Sequence, residues 1–313
     1  MPAVTVLMAV YNAMPYLPAT LDSVLNQTFT DFEFLIINDG STDRSPEVLR
    51  SYAARDSRIR LIERENRGFV PSLNQGLELA RGEFLARIDA DDLCTPTRLA
   101  DQVEHLRAHP DCVLVGGFVQ LIDHKDRPLR TLRLPIDHAD IDRHHLAGHT
   151  SIPHPVATFR LAAAKALGGY NPRYESAEDL DLWLRLAEVG TLHNIPRVLV
   201  RYRQHDNSMS STRAAAQLAA MQSGCRDAWK RRNVAGTFEM TEHWRPGRDR
   251  ASRLRYALSI GWCAFNEGHR STARIYALKA LRLNPFSVEA AKLLACALLK
   301  PTPQTPPAEP SPQ

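Results

Sequence analysis

Three carboxylates lie close together in the segment Asp89-Ala90-Asp91-Asp92. An extended chain places Asp89 and Asp91 on the same side, because side chains alternate along a strand. Hard carboxylate oxygens on one side of a loop suit Mg²⁺ or Mn²⁺, which also accept phosphate oxygens and water as ligands. A solvated acidic turn before a helix would explain the same residues, and short acidic motifs are common. The position of the segment in the fold has to decide between the two interpretations.

Residues 38–43 have the sequence NDGSTD. Asn and Asp tolerate tight turns, and Gly40 permits a positive φ, so a turn explains the whole segment. A functional interpretation adds that the carboxylate of Asp39 can accept a hydrogen bond from an N–H of a nucleobase. The two interpretations are compatible.

A further pair of carboxylates, Glu178 and Asp179, precedes or opens a helix that is indicated by Leu180, Trp183 and Leu184. Carboxylates at that position are favoured by the helix dipole, by about 0.3–1 kcal/mol. They could also act as a general base towards an acceptor hydroxyl. The residues alone leave both explanations open, and Trp183 is expected to pack in the core.

Alternating strands and helices must position these groups. Apolar segments with β-branched residues predict buried strands at residues 4–10, 34–37, 59–62 and 84–88. Helical spacing predicts helices at residues 17–25, 46–54 and 73–80, and another from residue 99. This order predicts an α/β fold with a Rossmann-like, mainly parallel sheet covered by helices.

Polar segments follow each of the four strands directly, at residues 11–12, 38–43, 65–68 and 89–92. Parallel sheets bind ligands beyond the carboxyl ends of their strands. The sequence therefore predicts one site at this edge, which favours the metal interpretation of Asp91.

The later chain is less regular. Residues 113–122 suggest a strand pair or hairpin, residues 130–150 have no clear pattern, and strands are predicted at 156–159 and 198–202 with a helix at 161–167. From about residue 212 the sequence is helical, with one tetratricopeptide-like hairpin indicated by Gly261, Gly268, Ala273, Ala280 and Pro285. The predicted domains are residues 1–210, a helical appendage at 211–300, and a disordered Pro-rich tail at 301–313.

Composition narrows the class of protein. The formal net charge is +4, and there is no basic stripe with interleaved aromatic residues, so we expect no nucleic-acid partner. The five cysteines are widely spaced and form no CxxC pair, so zinc and disulfides are not predicted. Without a signal peptide or a segment of about 18–20 apolar residues, the sequence predicts a cytoplasmic protein that can attach peripherally to the inner membrane face.

Together these segments resemble the family 2 inverting glycosyltransferases, which have the GT-A fold. The resemblance extends from Val4 to about His205. It is carried, in order, by VTVLMAVYNAMPYLPATLDSVLNQT, EFLIINDGSTD, ENRG, ARIDADD, the segment from His154-Pro155 to Phe159-Arg160, and AEDLDLWLRL. Members often have Pro where this chain has Ala9, a change that preserves a backbone contact.

The resemblance also implies roles for individual residues. Asp179 would be the catalytic base, with Glu178 beside it orienting the acceptor or the base. The nucleotide and its diphosphate would be bound by Ala9, Tyr11, Asn12, Asp39, Asn66, Gly68 and Asp89, with Asp39 contacting the base. The metal would be held by Asp91, and His205 would close over the diphosphate or the metal.

The reaction implied by the resemblance is transfer of a sugar, with inversion, from a nucleoside diphosphate to an acceptor hydroxyl with the help of Mg²⁺ or Mn²⁺. The donor would be a UDP-sugar and the acceptor a glycan or a lipid-linked glycan, as in the synthesis of surface polysaccharides or glycoconjugates. Two alternatives are a nucleotidyltransferase and a non-catalytic scaffold that binds nucleotide sugars. The first would usually carry a Gly-rich, basic first loop, which residues 11–15 lack. The second is disfavoured by the presence of Asp91 and Asp179.

Overall fold

The computed structural model describes residues 1–204, 214–240 and 249–300. These residues form two compact units. The first comprises residues 1–119, 133–202 and 214–240, and the second comprises residues 120–132, 203–204 and 249–300. The predicted tail at 301–313 lies outside the described residues.

The first unit begins with alternating strands and helices, as predicted. The strands are β1 (Val4–Val10), β2 (Phe32–Asp39), β3 (Ile59–Arg64) and β4 (Phe84–Arg87). The intervening helices are α1 (Leu17–Leu25), α2 (Ser45–Ala53) and α3 (Phe69–Leu79). Strand β1 pairs in parallel with β2 and β4, and β2 pairs in parallel with β3. All eight residues of β2 are buried, which explains the apolar run from Phe34 to Ile37 at its centre.

The remaining strands extend this sheet with antiparallel partners. They are β5 (Leu93–Cys94), β6 (Cys112–Ile122), β7 (Pro128–Leu132), β8 (Thr158–Arg160) and β9 (Thr191–Arg203). The strand order is β3-β2-β1-β4-β8-β6-β9-β5, with β7 paired to β6. Strand β8 runs antiparallel to β4 and β6. The mixed α/β sheet thus keeps its parallel part where the polar loops were predicted.

The other helices of the first unit are α4 (Arg98–Ala108), α5 (His138–Leu146), α6 (Leu161–Ala166), α7 (Glu178–Leu186) and α8 (Ala214–Arg232). Helix α5 occupies the region that the sequence left unassigned. Short 3₁₀ turns lie at His154–Val156 and Pro172–Tyr174.

The strand pair predicted within residues 113–122 is wrong, because this segment is the single strand β6. Its two glycines permit close packing and do not form a turn. A Cβ on Gly116 would lie 2.2 Å from Asn194 Oδ1, and one on Gly117 would lie 2.6 Å from Leu199 Cδ1. The turn comes after the strand, before β7.

Helix α8 packs against α7 within the first unit. Cys225 and Ala228 are buried together with Leu180 and Leu184, and Trp229 Nε1 donates to Leu146 O at 3.1 Å. Residues 214–240 therefore group with the first unit, whereas the sequence pattern assigned them to the appendage. The domain boundary at residue 210 stays a prediction.

The second unit contains three helices, α9 (Arg250–Asn266), α10 (Arg270–Leu283) and α11 (Val288–Leu299). A Cβ on Gly261 would lie 2.5 Å from Leu293 Cδ2, so the helices approach closely there. Tyr276 donates its hydroxyl to Asp123 Oδ2 at 3.0 Å, which joins α10 to the turn before β7. No helix of the described residues is long and apolar enough to cross a membrane.

The turn before β4 provides a test of packing in the first unit. A Cβ on Gly82 would lie 2.4 Å from Thr5 N and 2.6 Å from Val4 C, and backbone atoms cannot move aside cheaply. We expect Gly82→Ala to lower the free energy of unfolding by about 1–3 kcal/mol, as overpacking does. Gly224→Ala is the matched control, because nothing lies within 4 Å of a Cβ in that helix. Urea denaturation should show Gly224→Ala unchanged or more stable; equal losses would contradict the packing explanation.

Candidate active site

The loops after β1 and β2 are fastened to each other through Asn12. Its Oδ1 accepts hydrogen bonds from Thr42 N at 2.7 Å and Asp43 N at 3.2 Å, while its own N–H donates to Ser41 Oγ at 3.0 Å. Asn12 has a φ of +52°, a conformation that Asn adopts more readily than most residues. The neighbouring Tyr11 is exposed, so its ring is accessible to a ligand at this edge.

Asp43 strengthens the same connection. It accepts hydrogen bonds from Met14 N at 3.0 Å and Ser45 N at 2.9 Å. Burial raises the pKa of Asp43, but the hydrogen bonds from Ser45 and Met14 outweigh burial and hold this pKa below its usual value. The negative charge of Asp43 therefore stabilises the two loops themselves.

Asp39 is buried at the end of β2 and organises the loop after β3. Its Oδ1 accepts from Arg64 Nε at 2.9 Å and Arg67 N at 3.0 Å, and its Oδ2 accepts from Gly68 N at 2.8 Å. Because a carboxylate oxygen can accept two hydrogen bonds, Oδ2 retains capacity for a ligand N–H. The predicted base contact is thus compatible with a structural role that the sequence did not reveal.

An open cleft of about 570 Å³ lies at the carboxyl ends of β2 and β3. This volume is in the range of small-molecule sites. Gly40 has a φ of +74°, and a Cβ there would lie 2.6 Å from Asn66 N, so the two loops meet at a point where only glycine fits. The cleft is lined by Asn38, Gly40, Ser41, Pro46, Arg50, Glu63, Arg64, Glu65 and Asn66.

A fully buried guanidinium, that of Arg87, lies at the end of β4. Its Nη2 donates to Asp89 Oδ1 at 2.5 Å, and its Cζ lies 5.2 Å from the centroid of the Phe69 ring. Burial alone would lower the pKa of Arg87, but the charge of Asp89 and its hydrogen bond favour the cation and raise it. Arg87 is therefore a permanent positive charge beneath the carboxylates.

Glu178 and Asp179 begin α7, and the structure gives them different protonation states. Burial, and next the charge of Asp179, raise the pKa of Glu178 to about 8. Burial raises the pKa of Asp179 to about 6, with a further contribution from Asp89, although the N–H of Leu180 opposes the shift. Glu178 therefore holds its proton to a higher pH than Asp179 does.

The carboxylates of the two motifs belong to one electrostatic cluster. Asp89 contributes to the raised pKa of Asp179, and Asp91 contributes, after burial, to the raised pKa of Asp89. The structure therefore brings together Asp89, Asp91, Glu178 and Asp179, which are up to 90 positions apart in the chain. Their individual roles stay predictions.

Asp91 is the residue of this cluster that fits a divalent cation best. It is half-buried, and its charge adds to the crowding at Asp89, which a cation would relieve. Within residues 1–204, 214–240 and 249–300, no three His, Cys, Asp or Glu side chains form a group that could hold a metal ion. Diphosphate oxygens and water would have to complete the coordination, as they commonly do for Mg²⁺. His205, the other predicted ligand, lies outside the described residues.

Sequence reasoning missed the residues beneath the cluster. A charged residue inside a buried apolar strand was the available signal for Arg87. His154, known only as part of a motif, is buried, with Nε2 2.9 Å from Tyr170 Oη and Nδ1 3.9 Å from Glu178 Oε1. Burial, then the charge of Arg87, lowers the pKa of His154 well below its usual value, so this imidazole is neutral.

A nucleotide-sized cleft and a carboxylate cluster at the carboxyl edge of a half-parallel sheet define an α/β enzyme of the GT-A type. The chain belongs to Glycosyl transferase family 2, whose profile matches residues 5–168. It is accordingly a glycosyltransferase, and the nucleotidyltransferase and scaffold alternatives are set aside.

Two relatives illustrate the range of similarity. An uncharacterized glycosyltransferase of Haemophilus influenzae is 32% identical over 220 residues, which are 67% of this chain and 68% of the relative. The O-antigen biosynthesis glycosyltransferase WbnJ of Escherichia coli is 29% identical over 245 residues, which are 77% of this chain and 94% of the relative.

Two solved structures share the fold. Residues 1–349 of S. aureus TarS in complex with UDP-GlcNAc match with a TM-score of 0.55 and 16% identity, over 94% of this chain and 79% of that one. The mannosyltransferase PcManGT of Pyrobaculum calidifontis, in complex with GDP-Man and Mn²⁺, matches with a TM-score of 0.55 and 22% identity, over 96% and 82%. The match spans 55% of the longer TarS chain.

The raised pKa of Glu178 predicts a pH-dependent stability. Between about pH 4.5 and pH 8 the folded chain holds a proton that the unfolded chain releases, so the free energy of unfolding falls as pH rises. Glu178→Gln mimics the protonated side chain and should remove this loss, which is at most about 1.4 kcal/mol per pH unit. Denaturation curves at pH 5 and pH 8 should show the variant gaining on the native protein at the higher pH.

The exposed Glu78 provides the control for this comparison. Glu78→Gln should follow the native protein at both pH values. If Glu178→Gln also tracks the native protein, Glu178 does not hold a proton at neutral pH.

Proposed function

We propose that the protein transfers a sugar, with inversion, from a nucleoside diphosphate to an acceptor hydroxyl, and that Asp179 is the general base. The observation that carries this proposal is the electrostatic contact between Asp179, at the start of α7, and Asp89, at the exit of β4. This interaction places the proposed base, Asp179, at the carboxyl edge of the sheet. Nucleotides bind at that edge in parallel sheets.

The nucleotide would occupy the cleft beyond β2 and β3. Asp39 Oδ2 would accept an N–H of the base, and Asn66 and Gly68 would line the same pocket. On the β1 side the backbone of Ala9 and the exposed ring of Tyr11 would contact the nucleoside, in a loop that Asn12 fixes. UDP-GlcNAc in the TarS structure and GDP-Man in the PcManGT structure support a nucleotide sugar as the donor. We propose a UDP-sugar for this chain.

Mg²⁺ or Mn²⁺ is the proposed cofactor, with Asp91 as its protein ligand and Asp89 near the ribose or diphosphate. Bound there, such a cation would neutralise the charge of the diphosphate leaving group. Its presence in this protein is supported by the crowded carboxylates and by Mn²⁺ in the PcManGT structure.

The chemical step follows from the two protonation states at α7. The acceptor oxygen attacks the anomeric carbon while its proton passes to Asp179. The bond between that carbon and the phosphate oxygen breaks, and its electron pair leaves with the diphosphate. Attack from the side opposite the leaving group inverts the anomeric centre. Glu178 is protonated and can orient the acceptor by donating a hydrogen bond, while the charge of Arg87 helps to keep Asp179 ionised.

The acceptor is proposed to be a glycan or a lipid-linked glycan in the assembly of a surface polysaccharide or glycoconjugate. The O-antigen biosynthesis name of the relative WbnJ supports this choice. A lipid-linked acceptor would place the reaction at the inner face of the membrane, with the enzyme on the cytoplasmic side.

Removing the base gives the central prediction. Asp179→Asn should lower kcat by about 10²–10⁴-fold, the usual contribution of a general base. Nucleotide binding should survive, because the amide keeps the shape of the side chain. Release of UDP from a panel of UDP-sugars, offered with mixed glycan acceptors, measures the first effect. Thermal protection by UDP with Mn²⁺ measures the second.

Asp140→Asn is the matched control, because Asp140 is an exposed Asp on helix α5. It should retain native turnover. Near-native turnover in Asp179→Asn would remove Asp179 from the role of base.

Metal dependence gives a separate prediction with a readout other than activity. In the native protein UDP with Mn²⁺ should raise the melting temperature, and at one hundred times Kd the stabilisation is about 2.7 kcal/mol. In the native protein, EDTA should remove the metal-dependent part of this rise in melting temperature. Asp91→Asn should lack that part even without EDTA. The control Asp31→Asn, at an exposed position, should behave as the native protein. An unchanged metal-dependent rise in Asp91→Asn would show that Asp91 does not bind the cation.

A further inference from the structure

The last described helix, α11, is apolar on nearly all sides. Its sequence is VEAAKLLACALL, in which only Glu289 and Lys292 are charged. One face is buried through Ala290, Leu293 and Cys296, and Ala297 O accepts a hydrogen bond from Arg274 Nε of α10 at 3.0 Å. The packing of the second unit therefore covers one face of this helix.

The exposed side of α11 carries apolar residues at both ends of the helix, with the charged Glu289 and Lys292 between them. Val288 is 82% exposed at the start, and Leu298 and Leu299 are 52% and 83% exposed at the end. Phe286, in the turn just before the helix, is 92% exposed. Large apolar side chains that are this exposed, with polar residues around them, mark an interaction site. We call Phe286, Val288, Leu298 and Leu299 the terminal apolar face.

Basic residues accompany the terminal apolar face. Arg282, Lys292 and Lys300 are exposed on α10, on α11 and directly after it. Residues 249–300 contain nine Lys or Arg and three Asp or Glu, an excess of six positive charges, although the whole chain has a net charge of only +4. The remaining residues therefore carry a small negative excess, and the positive excess lies in residues 249–300, where Glu289 is the one acidic residue of α11.

Exposed apolar and basic side chains together indicate which kind of partner this surface binds. A second copy of the same face would bring like charges together, which is unfavourable. A twelve-residue helix is about 18 Å long and cannot cross a hydrocarbon layer of about 30 Å. Apolar side chains with flanking Lys and Arg instead suit the boundary of a bilayer that contains anionic lipids.

We propose that the terminal apolar face, with Arg282, Lys292 and Lys300, binds the surface of an anionic lipid bilayer. Phe286, Val288 and Leu299 enter the boundary between headgroups and acyl chains, and the basic side chains contact the headgroups. This inference depends on the second unit alone and is independent of the proposed catalytic roles.

Flotation of the full-length protein with lipid vesicles tests the proposal. Vesicles of phosphatidylcholine with about 30% phosphatidylglycerol should bind the protein, whereas vesicles of phosphatidylcholine alone should bind it at least tenfold more weakly. Raising the salt from about 0.1 M to about 0.5 M should weaken the binding, because salt screens the headgroup charges.

Two variants separate the apolar and basic contributions. Phe286→Ser with Val288→Ser should weaken binding by at least about tenfold. Lys292→Gln with Lys300→Gln should weaken binding about fivefold for each charge removed. All four positions are exposed, so the melting temperature should not change. The controls are Val189→Ser and Lys165→Gln, exposed positions of the first unit that should leave binding intact.

Three results would overturn the proposal. They are equal affinity for neutral and anionic vesicles, the absence of flotation, and native binding by both double variants. Sedimentation equilibrium completes the test. A native dimer that Phe286→Ser with Val288→Ser converts to a monomer, without any vesicle binding, would assign the face to self-association.

Discussion

The burial of Arg87 beneath a group of carboxylates is the interaction on which the site depends. A guanidinium with no exposed surface must have partners, because an uncompensated buried charge is costly. Arg87 finds Asp89 directly, and its charge also reaches Glu178 and Asp179. The same contacts make it tolerable to bury acids that would otherwise repel each other. Strand β4 and helix α7 are therefore held in place by electrostatics as well as by apolar packing.

Because of this arrangement, two neighbouring acids of α7 lose their protons at different pH values. Glu178 is enclosed near His154 and Tyr170 and holds its proton to higher pH, whereas the N–H of Leu180 and the charge of Arg87 favour the anion of Asp179. A proton acceptor and a hydrogen-bond donor thus arise from adjacent positions. The difference comes from their surroundings and not from the small difference between Asp and Glu in water.

Much of the fold could be predicted because β1, the centre of β2 and the start of β4 are buried apolar segments. The polar loops could be predicted from the rule that ligands bind at carboxyl ends. Long-range contacts could not: the charge interactions of Arg87 with Glu178 and Asp179, and the bonds from Asp39 to the loop at Gly68, have no local signature. The two glycines of β6 were predicted to form a turn, but they allow close packing against β9. Glycine is favoured in both situations, so the sequence alone does not distinguish them. The docking of α8 on α7 likewise depends on contacts between distant segments.

The contacts of Asp39 have an evolutionary consequence. This carboxylate supports the loop that carries Arg67 and Gly68, so a replacement that altered its proposed contact with the base would also disturb the loop. Substitutions that change the preference for the proposed donor would disturb the fold less at Arg50 and Glu63. These two residues form a surface ion pair on the wall of the same cleft. In relatives that prefer different nucleotides, we therefore expect the residues at the rim of the pocket to differ and the residues at its floor to be the same.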